Sequence, residues 1–319
     1  MKRRHFLQLS GTALAASTIG RYAVAAPATA GDAADSAAFL AARRFAELSF
    51  GHIAYVERGA GPAALFLHGA PLNGFQWRSA IAQLASERRC IVPDFMGLGY
   101  SEVPAQQPLT AGAQCAMLVA MLDQLKVEKA DVIASDSGGA VAQLLAARHP
   151  ERVRSLLLSN CDTEPNSPPK GVLPVIEMAR AGTLADDTAK WLSDPALARA
   201  TFGAAVFHDP SRFTKKTIAY YVEPLVSSPL RRAQYHAFHV ALDPNPLAGI
   251  ESVLRRSRIP VRMVWGASDT IFPLADAEYL DRIFPRSQGI RRIPEGKLFF
   301  QEEFPGIIAE EAHRLWQLA

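Results

Sequence analysis

Four short, unbroken apolar runs alternate with helical stretches between Ala64 and Ser159, and no other feature of the chain restricts its architecture as much. The runs are Ala64–His68, Cys90–Pro93, Asp131–Ala134 and Val153–Ser159; the stretches between them are Phe75–Ser86, Ala111–Leu125 and Gly139–His149. A strand that is apolar at successive positions needs cover on both faces, and a helix after each strand supplies it in a parallel sheet. Phe50–Glu57 alternates as an earlier strand, ended by the turn Gly59-Ala60-Gly61-Pro62. Beyond Arg258 the pattern resumes with a strand at Val261–Trp265, a helix at Leu274–Phe284, a strand at Gly289–Ile293 and a terminal helix at Pro305–Leu318. From Asp162 to Arg258 prolines recur between helical segments, and no convincing strand is present. The expected fold is α/β: a mostly parallel, doubly wound sheet in two core parts, 46–161 and 259–319, with a helical lid, 162–258, inserted between them.

The stretch Ile133-Ala134-Ser135-Asp136-Ser137-Gly138-Gly139-Ala140 joins an apolar run to a helical one. Small residues on both sides let a strand turn sharply into a helix and expose one side chain above the sheet, the geometry of a nucleophile elbow. Two frames satisfy the sterics. With Asp136 at the tip, Ala134 precedes it by two and Gly138 and Gly139 follow. With Ser137 at the tip, Ser135, Gly139 and Ala140 take those places. A carboxylate there forms alkyl esters by attack on carbon–halogen or epoxide bonds, whereas a hydroxyl does acyl chemistry. An aspartate that only caps the following helix would leave the glycine pair without a purpose.

Composition removes several classes of function. The 319 residues are 49% apolar and carry a formal net charge of +3, enough to fill a core and too little to argue for nucleic acid. Neither CxxC nor HExxH occurs and the eight histidines are scattered, so neither a metal nor another cofactor is expected. Cys90, Cys115 and Cys161 do not make a disulfide framework and are expected as buried thiols. Lys2-Arg3-Arg4-His5-Phe6-Leu7-Gln8, a mildly apolar run from Leu9 to Ile19, and the small-residue sites Ala23-Val24-Ala25 and Ala28-Thr29-Ala30 form a twin-arginine leader over residues 1–30. The twin-arginine export machinery is then a partner, and the mature protein is periplasmic or secreted. Ala28–Ala42 reads as a loose linker or short helix. No later run approaches the roughly 18 apolar residues of a membrane span, so stable insertion after cleavage is not expected.

Four markers stand in order: His68-Gly69-Ala70-Pro71, Pro93-Asp94-Phe95-Met96-Gly97-Leu98-Gly99-Tyr100-Ser101, the Asp136 bend, and Trp265-Gly266-Ala267-Ser268-Asp269. Together they resemble the α/β-hydrolase fold with a helical lid, from Phe50 to the C-terminus. The Asp136 elbow and the His68-to-Trp77 segment look most like haloalkane dehalogenases and epoxide hydrolases. The helix running to Pro150-Glu151-Arg152-Val153 matches that family's phase with Asp136 at the tip. The resemblance implies Asp136 as nucleophile, the backbone amides of Ala70 and Ser137 as oxyanion hole, and Asp269 as the acid of a triad, with Asp162 in reserve. It implies a structural role for His68. It also implies a histidine where this chain reads Gly296-Lys297-Leu298-Phe299, so Lys297 occupies the base slot. The lid offers His208, His236 and His239 as substitute bases, and Tyr220, Tyr221 and Tyr235 as acids for an opening epoxide. The tryptophan and asparagine that cradle halide in many dehalogenases are Ser137 and Ala70 here.

The function expected from these residues is hydrolysis of a small apolar epoxide or haloalkane by an exported enzyme. A serine esterase or lactonase using Ser137 or Ser135 is the alternative within catalysis. A ligand-binding protein that lost turnover with its histidine is the alternative outside it.

Overall fold

A computed structural model describes residues 32–317, so the leader and its cleavage sites lie outside the described residues. Eight strands form one sheet: β1 (Arg43–Leu48), β2 (Gly51–Arg58), β3 (Ala63–Leu67), β4 (Arg89–Pro93), β5 (Ala130–Asp136), β6 (Val153–Cys161), β7 (Val261–Gly266) and β8 (Ser287–Ile293). Their order is β1-β2-β4-β3-β5-β6-β7-β8, antiparallel at β1–β2 and β2–β4 and parallel from β4 onward. Every residue of β3, β5 and β7 is buried, as the unbroken apolar runs require.

The helices are α1 (Asp32–Ala41), α2 (Arg78–Leu84), α3 (Ala111–Gln124), α4 (Ser137–Arg148), α5 (Leu173–Arg180), α6 (Leu184–Ser193), α7 (Pro195–Ala198), α8 (Ala204–Val206), α9 (Lys215–Val226), α10 (Pro229–Val240), α11 (Glu251–Leu254), α12 (Leu274–Ile283), α13 (Phe300–Glu303) and α14 (Pro305–Trp316). Among the core helices, α2 packs on α14 and α3 on α4. The segment expected as a loose linker or short helix holds α1, and β1 follows it unannounced. β1 reads Arg-Arg-Phe-Ala-Glu-Leu, with only Ala46 buried. Charged residues suit a sheet edge, and they erase the alternation by which a strand is recognised.

Helices α5 to α11 fill the segment between β6 and β7. Some of the recurring prolines there mark helix starts: Pro195 opens α7 and Pro229 opens α10, where the missing N–H has no intrahelical partner to lose. Helix α6 packs on α9 and α5 on α10. From α10, the Arg231 guanidinium donates to the carbonyls of Gly99 (2.6 Å) and Ser101 (2.7 Å), and Gln234 Nε2 donates to Val103 O (2.8 Å). These bonds tie the inserted helices to the loop after β4. Cys90, Cys115 and Cys161 are buried free thiols, and no described helix is long and apolar enough to cross a membrane.

Candidate active site

β5 ends in the bend that the small residues announce. Asp136 has φ 55° and ψ −136°, a backbone region that costs a residue with a Cβ about 1–3 kcal/mol. The strand register slips at this step: Ser135 pairs with Ser159, but Asp136 pairs with Cys161. Glycine makes the bend possible by close approach. A Cβ on Gly69 would collide with Asp136 Cβ, and one on Gly139 would collide with Cys161 Cβ.

The carboxylate at the crest is held by two amides. Asp136 Oδ1 accepts from Ser137 N at 2.5 Å and from Ala70 N at 3.0 Å, the two groups expected to form an oxyanion hole. Among the described residues no amide donates to Oδ2. Burial pushes the Asp136 carboxyl above the usual carboxylate range, and the Ser137 and Ala70 amides oppose that shift. Of the two frames, Asp136 occupies the crest. Ser135 is fully buried and accepts from the amides of Gln76 (3.1 Å) and Gln301 (3.1 Å). The Ser137 hydroxyl is buried at the first turn of α4, beside the Asp136 carboxylate. His68 is wholly buried, donating from Nδ1 to Gly69 O (3.0 Å) and accepting at Nε2 from Phe95 N (2.9 Å), as a structural residue should.

Two further carboxyls lie close by. Asp269, after β7, accepts at Oδ1 from Ile271 N (2.9 Å) and at Oδ2 from Asn160 Nδ2 (2.8 Å). Burial raises it to about 7 against those donors. Asp162 follows β6 directly, and its Oδ1 accepts from Ser167 Oγ at 2.7 Å. Burial raises it to about 8, with the neighbouring Asp136 charge adding to the shift. Among the described residues no cation forms an ion pair with Asp136, Asp162 or Asp269, and no cluster of His, Cys, Asp or Glu is arranged to hold a metal ion.

Above Asp136 lies a cavity of about 570 Å³ between the sheet and the inserted helices. Its walls are mainly apolar, with Val175, Met178, Trp191, Phe202, Leu242 and Phe272 among them, and Ala70, Asp136, Ser137 and Asp162 open onto it. A volume of this size with few polar groups suits a small apolar molecule.

The remaining expected residues divide. Lys297 does not fill the base slot: its Nζ donates to Ala204 O at 2.6 Å, and the residue is absent from the cavity wall. An ammonium keeps its solvation better against a partly exposed carbonyl than inside an apolar cavity. Tyr220 and Tyr221 also turn away from the cavity. Tyr220 accepts from Arg43 Nη2 at 2.9 Å and stacks on Phe75, while the Tyr221 hydroxyl donates to Glu302. Both are drawn into packing beneath α9. Tyr235 does line the cavity, its hydroxyl 3.2 Å from Thr188 Oγ1. Of the lid histidines, His208 faces Glu295 and His236 accepts from Ala185 N, whereas His239 lines the cavity. His239 Nδ1 donates to Tyr235 O at 2.9 Å, and burial lowers it to about 4, so the ring is neutral near pH 7.

Sequence reasoning missed Asn160. At φ 22° it bonds Gly266 through both ends of its amide and donates to Asp269, joining the ends of β6 and β7. The signal was a polar residue near the end of a strand whose middle, Leu156 to Leu158, is apolar. Gln143 was missed too: from α4 its Nε2 donates to Gly139 O (3.1 Å) and Asp162 O (2.7 Å).

The fold and the elbow define a class, and the comparisons agree with it. Residues 62–304 match the model of the alpha/beta hydrolase fold family, and the chain belongs to that family. Haloalkane dehalogenase 2 of Mycobacterium tuberculosis (strain ATCC 25618 / H37Rv) is 26% identical over 296 residues, covering 83% of this chain and 92% of that protein. The 2-hydroxymuconate semialdehyde hydrolase of Pseudomonas sp. (strain CF600) is 40% identical over 105 residues, which are 32% of this chain and 37% of that one. Among solved structures, the epoxide hydrolase CorEH superposes with a TM-score of 0.72 at 21% identity, over 86% of this chain and 98% of its own. Relatives named for dehalogenation and a neighbour named for epoxide hydrolysis support the same branch of the fold.

Proposed function

We propose that this α/β-hydrolase opens a carbon–oxygen or carbon–halogen bond of a small apolar epoxide or haloalkane, with Asp136 as nucleophile. One observation carries the reading. The Asp136 carboxylate stands at the crest of a strained bend, one oxygen bound by the Ala70 and Ser137 amides, at the floor of an apolar cavity. In this reading Oδ2 attacks carbon and forms an alkyl ester. Water then attacks Cγ, and the amides on Oδ1 stabilise the developing oxyanion. Asp269 remains where a triad acid would stand, with both oxygens occupied by Asn160 and Ile271 in place of an imidazole.

A single turnover in ¹⁸O-labelled water tests this. Attack of water on the ester leaves label in the Asp136 carboxylate, read by peptide mass spectrometry. Label confined to the alcohol product, or an acyl adduct on Ser137, overturns it.

Export by the twin-arginine route belongs to the same reading and rests on Lys2-Arg3-Arg4 and the small-residue sites that follow. The pair Arg3→Lys with Arg4→Lys is expected to hold the protein in the cytoplasm. Unchanged accumulation outside it would refute that route.

A further inference from the structure

Among the described residues the histidine that ordinarily releases such an ester has no counterpart against Asp136, which raises the question of what moves protons in this cavity. Three carboxyls are close to one another, and the structure separates them. Asp269 has both oxygens engaged and is not part of the cavity wall. Asp136 is committed to the two amides. Asp162 is 5% exposed and lines the cavity; Ser167 donates to Oδ1, and among the described residues no other residue donates to its carboxyl.

Its position is fixed from two sides. Asp136 is in register with Cys161, so Asp162 directly follows the paired position at the end of the neighbouring strand. Gln143 Nε2 bridges Gly139 O on the elbow helix to Asp162 O, tying the backbones of the two acids together. One bound carboxyl and one with a free oxygen thus open side by side on the same apolar space.

We propose that Asp162 is the general acid and base of this enzyme, and that the substrate class is therefore an apolar epoxide. The inference rests on the reading of Asp136 as nucleophile. In the first step Asp136 Oδ2 bonds to an epoxide carbon, the C–O bond breaks, and the Asp162 carboxyl gives its proton to the departing alkoxide. In the second, the Asp162 carboxylate takes a proton from water as the hydroxide oxygen bonds to Asp136 Cγ. The tetrahedral intermediate collapses, the ester C–O bond breaks, Asp162 returns its proton to the diol, and the water proton left on the Asp136 carboxyl then passes to Asp162. Epoxide and water are consumed, diol is formed, and both carboxyls end as they began.

The assignment favours epoxide over halide for a chemical reason. An alkoxide leaving group needs a proton and a halide does not. Burial and the neighbouring Asp136 charge push the Asp162 carboxyl up to about 8, which favours the protonated form this step uses. The floor offers neither of the side-chain N–H donors that would cradle halide, since Ala70 and Ser137 stand there. A pair of neighbouring carboxyls sharing nucleophilic and acid–base roles is also the arrangement by which retaining glycosidases work.

Asp162→Asn keeps the acceptor for Ser167 and removes the proton. With styrene oxide, the variant is expected to form diol about 10²- to 10⁴-fold more slowly than wild type. With 1-bromohexane, which needs no acid, it is expected to alkylate Asp136 at the wild-type rate and then accumulate the ester. Asp162→Glu, which keeps a carboxyl, should recover part of the diol formation. Equal losses with both probes would mark a structural role and overturn the proposal. So would an unchanged diol rate. Absence of any Asp136 adduct or ¹⁸O label in all variants would instead refute the nucleophile itself.

Discussion

Asp136→Asn is expected to lower turnover of an epoxide or alkyl halide by about 10⁴-fold or more, equivalent to about 5.5 kcal/mol of transition-state stabilisation. An amide is a far weaker nucleophile than a carboxylate, and no other group at the cavity floor occupies the crest. The same change is expected to raise the melting temperature near pH 7. The substituted side chain would still accept the Ala70 and Ser137 amides through its carbonyl oxygen, while the cost of burying a charge that pushes the Asp136 carboxyl upward would vanish. Loss of activity with a gain of stability is the pattern of a group kept for function. A variant that retains turnover, or that melts well below wild type, would show Asp136 to be a structural cap.

Gly138→Val is expected to destabilise the fold by about 3 kcal/mol or more, since overpacking here meets rigid atoms. A Cβ at Gly138 would lie 2.5 Å from His68 O and 2.8 Å from Leu67 O, which are backbone carbonyls at the end of β3. Neither moves without displacing Gly69 and Ala70, whose close approach builds the amide pair. At about 2–4 °C per kcal/mol for a domain of this size, the melting temperature should fall by roughly 6–12 °C. A shift under about 2 °C in a thermal melt would mean that the elbow is looser than its contacts suggest.

Much of this site was legible in sequence because its parts are local. A strand that must turn sharply into a helix needs small residues within a few positions. Ser135-Asp136-Ser137-Gly138-Gly139 displays them, so spacing announced the bend and left Asp136 and Ser137 as candidates for its crest, between which the family resemblance chose. The apolar runs likewise revealed the parallel strands, because burial on both faces writes itself into consecutive residues. β1 stayed hidden because an edge strand is selected for charge and solubility.

The fate of the long side chains was not legible. Lys297 occupies the slot that motif order assigns to a base, yet four flexible bonds carry its ammonium to Ala204 O. Tyr220 and Tyr221 are adjacent on α9 and both leave the cavity, one for Arg43 and the other for Glu302, partners far away in the chain. The choice between Asp269 and Asp162 also waited on contacts from Asn160, Ser167 and Gln143 that no linear pattern displays.

What the chain alone determined is the layered α/β scaffold and the tight bend at 135–139, since both arise from short-range sterics and periodic burial. The tertiary structure decided which acids share a cavity, which oxygen is left free, and that the lysine stands outside. Those outcomes depend on competition among distant hydrogen-bond partners for the same few polar groups, and that competition is resolved only when the strands and the covering helices meet.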